Sequence, residues 1–188
     1  MTSAAVILAG GRSSRMGRDK ATLPWRGRRL VDIVADAARE GGAVEVYVSG
    51  PDLGYPAISD ALACKGPVAG ICASIQALFG THRSAVFIPV DMPKLESGII
   101  HALMQENSHE ASHFQPPPLP CLLTLSERVR DYACGIHRRL EEGEECSVRE
   151  FLKGLDAHAI FTPAAWERSL ANTNTPQEWQ EVTRESAY

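Results

Sequence analysis

The first apolar run of the chain, Val6-Ile7-Leu8-Ala9, carries no polar alternation and stops at Gly10-Gly11. Such a run fits a parallel strand buried on both faces better than a half-exposed strand. Between Arg28 and Arg39, Leu30, Val31, Ile33, Val34, Ala37 and Ala38 recur at helical spacing, and Gly41-Gly42 supplies the stop. Val44 to Val48 reads as a second strand, and Pro67 to Leu78 as a helix opened by Gly66-Pro67. Ser84 to Val90 is a nearly all-apolar strand that halts at Asp91, and Leu95 to Met104 resumes helical spacing. Strand and helix thus alternate in the first part of the chain, the pattern of a doubly wound parallel sheet whose strand ends build the site.

Beyond His109 the periodicity weakens. Gln115-Pro116-Pro117-Pro118-Leu119-Pro120 predicts a stiff extended segment, an edge or a loop, because proline fixes φ and lacks the donor of a central strand. Cys121 to Leu125 reads as a strand, Glu127 to Leu140 as a helix, and Ser147 to Leu152 as a short helix with Ser147 and Glu150 as a capping box. The acidic run Glu141 to Glu145 reads as a solvated turn.

Composition bounds this picture. With 188 residues, 44% of them hydrophobic and 22% charged, the chain is ordinary globular material. No repeat or linker divides it, so one α/β domain over 1–188 is expected. Five cysteines, an odd number without a C-x-x-C pair, fit neither a zinc ribbon nor a disulfide framework and suit a reducing cytoplasm. A net charge of −4 excludes a chain that holds nucleic acid by bulk electrostatics. No basic leader and no stretch near the ~20 apolar residues of a bilayer span is found, so membrane association is not expected.

The chemistry concentrates in Leu8-Ala9-Gly10-Gly11-Arg12-Ser13-Ser14-Arg15-Met16-Gly17-Arg18-Asp19-Lys20. Two glycines at a strand end, followed by Arg12, Arg15, Arg18 and Lys20, offer backbone N–H groups and cations to a triphosphate. The segment is not a Walker A loop, since Gly17 is followed by Arg18, and it is not G-x-G-x-x-G. Asp91, a carboxylate directly after an apolar strand and before Met92-Pro93, reads as a Mg²⁺ ligand, as a turn or N-cap residue of the following helix, or as both.

With its Leu23 and Gly27, L-A-G-G-x-x-x-R-M-G-x-x-K resembles the N-terminal signature of the nucleotidyltransferases of the molybdenum cofactor, in particular the guanylyltransferase family. Further blocks resemble that family in order: Asp60, then Gly66-Pro67-Val68-Ala69-Gly70-Ile71, then Pro89-Val90-Asp91-Met92-Pro93, then Asn172-Thr173-Asn174-Thr175-Pro176. Gly10-Gly11, where related cytidylyltransferases more often have Ala-Gly, favours guanine.

The resemblance implies a Rossmann-like three-layer α/β/α nucleotidyltransferase domain with a mostly parallel sheet. It also implies transfer of GMP from GTP to molybdopterin, with Mg²⁺ as cofactor. Leu8, Ala9, Gly10, Lys20, Asp60 and Asp91 match GTP positions, and Gly11, Gly66 and Gly70 join them as nucleotide-binding candidates. Lys20, Asp91 and Arg15 are the catalytic candidates, and Asp91 is the metal ligand. Asp60 is either a carboxylate accepting guanine N1–H and N2–H or an ordinary loop aspartate. Asn172 and Asn174 are acceptor-facing or simply part of the turn before a helix capped by Thr175. Partners implied are an upstream cofactor enzyme and molybdoenzyme chaperones.

The chain also departs from the family. It has Ser49-Gly50-Pro51 where an asparagine is usual, Gln115 to Pro120 where the family often has a Gly- and His-containing segment, and Glu144-Glu145-Cys146 where an Arg-rich turn is usual. A CTP-dependent cytidylyltransferase, a sugar-phosphate nucleotidyltransferase and a non-catalytic nucleotide- or cofactor-binding module are the competing readings.

Overall fold

The computed structural model describes residues 2–10, 20–59, 62, 66–106, 108–173 and 175–185. Its strands are β1 (Ser3–Leu8), β2 (Pro24–Trp25), β3 (Arg28–Arg29), β4 (Glu45–Ser49), β5 (Ala57–Ile58), β6 (Ser84–Pro89), β7 (Ala111–Gln115), β8 (Cys121–Thr124) and β9 (His158–Phe161). Its helices are α1 (Leu30–Glu40), α2 (Pro67–Leu78), α3 (Ser97–Gln105), α4 (Glu127–Glu141), α5 (Val148–Gly154) and α6 (Pro176–Glu185). Seven strands form one sheet in the order β5-β4-β1-β6-β8-β7-β9, while β2 and β3 pair as a separate small hairpin. Only β8 runs against its neighbours, so the sheet is mostly parallel.

Burial on both faces explains why β1 and β6 are continuous apolar runs. Ala5 and Ile7 of β1, with Val86 and Ile88 of β6, pack into the core shared with α1 and α3. Ala4, Val6 and Leu8, with Ala85 and Phe87, face the opposite core, shared with α2, α4 and α5. Alternate side chains of one strand therefore serve two helical layers, the three-layer arrangement expected. From β1 the chain crosses through α1 to β4 on one side, then returns through β5 and α2 to β6 on the other. The switch point lies between the C-terminal ends of β1 and β6, where open α/β sheets bind ligands.

Several local expectations hold. Helix α2 spans the residues expected of it, beginning at Gly66 with φ 87° and Pro67 in the first turn. At α5 the capping box is present: Glu150 N–H donates to Ser147 Oγ at 3.2 Å and Ser147 N–H donates to Glu150 Oε2 at 2.8 Å. Those bonds hold the Glu150 carboxyl below its usual range. At α6, Thr175 Oγ1 accepts from Glu178 N–H at 3.2 Å, as its N-cap reading requires.

The proline segment is more definite than the sequence reading. Residues 116–120 are the connection of an antiparallel hairpin, and β7, which leads into it, is an interior strand between β8 and β9. Edge position belongs to β9, which periodicity did not reveal because its residues are mostly exposed. Since β7 runs parallel to β6, the proline loop lies at the same sheet edge as the switch point.

Candidate active site

At that switch point the structure joins two of the predicted residues. Lys20 opens a short 3-10 turn that packs through fully buried Ala21. Its Nζ donates to Asp91 Oδ2 at 3.0 Å, and both side chains are largely withdrawn from solvent. Asp91 follows β6 between buried Val90 and Met92, so its backbone has little room to move. Val90 N–H donates to Leu8 O at 3.3 Å, tying the ends of β1 and β6 together directly beside the pair.

Asp91 has a third tie, one the sequence reading missed. Thr173, only 3% exposed, donates to the Asp91 main-chain oxygen twice, from its N–H at 2.9 Å and from Oγ1 at 3.1 Å. The block Asn172-Thr173-Asn174 was singled out for its asparagines, yet it is the threonine between them that grips the site. The sequence carries no signal for this role, since neither burial nor a backbone partner is written in the type of one side chain. A second anchor holds the same segment, since Ser169 Oγ donates to Glu96 Oε1 just before α3.

What remains of Asp91 is Oδ1. That atom is buried and has no hydrogen-bond partner. Trp25 Nε1 and Ser112 Oγ share this condition among the described residues, but they are uncharged, and an unmatched carboxylate oxygen is the costliest of the three to bury. One open oxygen on an otherwise fixed carboxylate suits a hard divalent cation. Among the described residues no group of three or more His, Cys, Asp or Glu could hold a metal ion by itself. A cation held at Asp91 would need further oxygen ligands, which Mg²⁺ commonly draws from phosphates and water.

The glycine-rich turn is shaped by contact with β4. Ala9 and Gly10 both donate their N–H groups to Ser49 O, at 3.0 and 2.9 Å. These two amides, expected to face a triphosphate, are instead engaged by the sheet. Gly50 makes the approach possible: at φ 141°, a Cβ there would lie 2.9 Å from Gly10 N and 3.0 Å from Ala9 C. Gly70 has a packing reason as well, because a Cβ at that position would lie 2.5 Å from Ser49 Oγ and 3.5 Å from Leu8 Cδ2. Gly66 stands at the start of α2, half-buried, at the same sheet edge. Gly11, Arg12, Arg15, Arg18, Asp60 and Asn174 lie outside the described residues.

Two clefts flank the proline loop. One, of about 520 Å³, is lined by His113, Gln115, Pro118, Arg149 and Lys153 among others. Arg149 and Lys153 stand one turn apart on α5 and have no carboxylate partner among the described residues, unlike Arg139, whose Nη2 lies 2.7 Å from Glu144. They place positive charge just after Glu144-Glu145-Cys146, where the family's arginines are missing. The other cleft, of about 410 Å³, lies between Pro116-Pro117 and the segment ending in Asn172, which is exposed. Thr162 Oγ1 donates to Pro116 O at 3.1 Å, bracing one wall. No helix among the described residues is long and apolar enough to cross a membrane.

Residues 5–155 match the family described as the MobA-like NTP transferase domain. The chain is 35% identical over 181 residues to a molybdenum cofactor guanylyltransferase of Xanthomonas euvesicatoria, covering 96% of this chain and 94% of that protein. A protein of the same name from Yersinia pestis is 29% identical over 206 residues, with 95% of each covered. The fold is that of the crystal structure of molybdopterin-guanine dinucleotide biosynthesis protein A from Archaeoglobus fulgidus, with a TM-score of 0.77, 18% identity, and 97% and 98% of the two chains covered.

Proposed function

The chain belongs to the MobA-like NTP transferase family, and on that premise we propose that it transfers GMP from GTP to the terminal phosphate of molybdenum-bearing molybdopterin. An acceptor phosphate oxygen attacks the α-phosphorus of GTP, the bond from that phosphorus to the bridging oxygen breaks, and pyrophosphate leaves. The observation that carries this reading is the Lys20–Asp91 pair at the switch point, with Asp91 Oδ1 unpartnered beside it. Mg²⁺ held at Asp91 would supply positive charge to the phosphate oxygens. Lys20 adds its own charge where the leaving pyrophosphate gathers electrons, and Arg15 of the N-terminal loop assists it.

The protein is asked for little covalent work. An ionised phosphate is already a nucleophile near neutral pH, so in-line positioning and charge neutralisation suffice, with no general base and no covalent enzyme intermediate. Leu8, Ala9, Gly10, Gly11, Gly66 and Gly70 shape the nucleotide side, and Asp60 selects guanine by accepting from N1–H and N2–H. Residues of about 1–106 hold the nucleotide and those of about 107–188 the acceptor, within one domain. Asn172 and Asn174 face the acceptor beside the segment that Thr173 fastens to Asp91.

Purified protein supplied with GTP, Mg²⁺ and molybdopterin is expected to release pyrophosphate and form the guanine dinucleotide. CTP in place of GTP should react far more slowly. Faster turnover with CTP overturns the guanine assignment, and GTP binding without pyrophosphate release overturns the enzyme assignment in favour of a carrier.

A further inference from the structure

Lys20 Nζ stands 3.0 Å from Asp91 Oδ2, and the two side chains are only 18% and 14% exposed, so water screens their charges poorly. The ammonium already balances the carboxylate in the nucleotide-free protein. Among the described residues no group of three or more His, Cys, Asp or Glu could hold a metal ion, so no acidic cluster backs Asp91 to outweigh that ammonium. Asp91 is also the partner that cannot move: Thr173 grips its main-chain oxygen at 2.9 and 3.1 Å, and buried Val90 and Met92 flank it. Lys20 is different. Its backbone is anchored through fully buried Ala21, but its flexible four-carbon stem can carry the ammonium to a new partner.

We infer that Lys20 is the resident cation of Asp91 in the nucleotide-free protein, and that it admits a divalent cation to Asp91 only together with a nucleoside triphosphate. The inference rests on the nucleotidyltransferase reading above and concerns the order in which that site fills. Asp91 Oδ1 is open, but a cation approaching it in the nucleotide-free protein meets an ammonium held on the other oxygen of the same carboxylate, and like charges repel. A triphosphate brings anionic oxygens that draw Nζ away from Oδ2 in charge-assisted bonds, and the released carboxylate then shares the cation with those phosphates. Metal and triphosphate therefore bind with positive coupling, each raising the affinity of the other by the same factor. Lys20 serves twice, first as a guard on Asp91 and then as a phosphate ligand.

The test reads metal binding and needs no turnover. Mn²⁺, a paramagnetic substitute for Mg²⁺, is titrated into nucleotide-free protein while its unbound fraction is followed by electron paramagnetic resonance. The unsubstituted protein is expected to bind it no more tightly than about 1 mM, the weak end of carboxylate sites. Lys20→Gln removes the charge and keeps a polar side chain, and it should bind Mn²⁺ about tenfold or more tightly, a gain that mere loss of a site contact would not produce. Adding Asp91→Asn to that variant should abolish the gain, which assigns it to this carboxylate. Circular dichroism reports folding, and Lys20→Met takes the place of the glutamine variant if that one does not fold. The unsubstituted protein supplies an arm of its own: tighter nucleotide-free Mn²⁺ binding that Asp91→Asn removes overturns the inference. So does equal Mn²⁺ affinity with and without the lysine, or a gain that survives Asp91→Asn. Absence of GTP binding by the unsubstituted protein in Mg²⁺ would instead overturn the nucleotidyltransferase reading on which the inference rests.

Discussion

Thr173 holds Asp91 by its main-chain oxygen, with an N–H at 2.9 Å and a hydroxyl at 3.1 Å, across 82 residues of sequence. Lys20 holds the same residue by Oδ2, so three contacts fix Asp91 while Oδ1 stays open. A residue gripped at its backbone cannot adjust its carboxylate by backbone motion, which is what a metal-positioning side chain needs. Thr173→Val keeps the shape and the N–H but removes the hydroxyl. We expect a stability loss of about 1 kcal/mol and a fall in kcat of about tenfold, with KM for GTP little altered. A purely structural hydroxyl would lower melting temperature without that kcat-against-KM split.

Asp91→Ala and Lys20→Ala address the pair directly. On the proposed mechanism each removes a charge that acts on the transition state more than on bound GTP, and each is expected to lower kcat by at least about a hundredfold. Circular dichroism should report folded protein in both cases, because the two side chains stand at the sheet edge and not in either core. Turnover near normal in either purified variant would remove that residue from its role.

Gly70 offers a test of packing against ligand contact. Gly70→Ala places a methyl 2.5 Å from Ser49 Oγ in a fully packed helix–sheet contact, and overpacking of this kind costs about 1–3 kcal/mol. Ser49→Ala removes the atom that clashes. The double variant should therefore recover most of the lost stability, helped by the better helix propensity of alanine. If GTP binding stays lost when stability has recovered, Gly70 meets the nucleotide directly. If binding returns with stability, the glycine serves the packing of α2 on β1 and β4.

The contrast between these residues explains what could be read from the chain alone. Strands β1 and β6 were legible because burial on both faces makes them continuous apolar runs that end at Gly10 and Asp91. The cap of α5 was legible because a capping box is written in two residues three apart. Strands β7 and β9 were not, because Ser112, His113 and His158 break the apolar pattern and a proline run follows β7 directly. Asp91 and Lys20 were found separately, by type and motif; their 3.0 Å contact belongs to topology. Thr173 was overlooked because its role depends on a backbone oxygen, and no pattern of side chains encodes a partner of that kind.

Asp32 links acid stability to the frame behind the site. It stands in the first turn of α1, where Arg29 donates to both its oxygens at 2.7 and 2.8 Å and Tyr55 OH donates to Oδ1 at 2.9 Å. Arg29 also donates to Leu53 O at 3.1 Å, so the carboxylate fastens α1 to the connection between β4 and β5. The arginine chiefly, and the tyrosine hydroxyl in addition, hold the Asp32 carboxyl below its ordinary value, against the opposing effect of burial. A carboxyl depressed in the folded state stabilises the fold fully above its unfolded value, and that contribution is lost as pH falls through the folded value. Asp32→Asn cannot titrate, so it should be less stable than the unsubstituted protein near pH 7, with the difference shrinking toward about pH 3. Urea denaturation at both pH values measures this directly, and a difference that stays constant between them would show that Asp32 is not the group through which acid loosens this corner of the sheet.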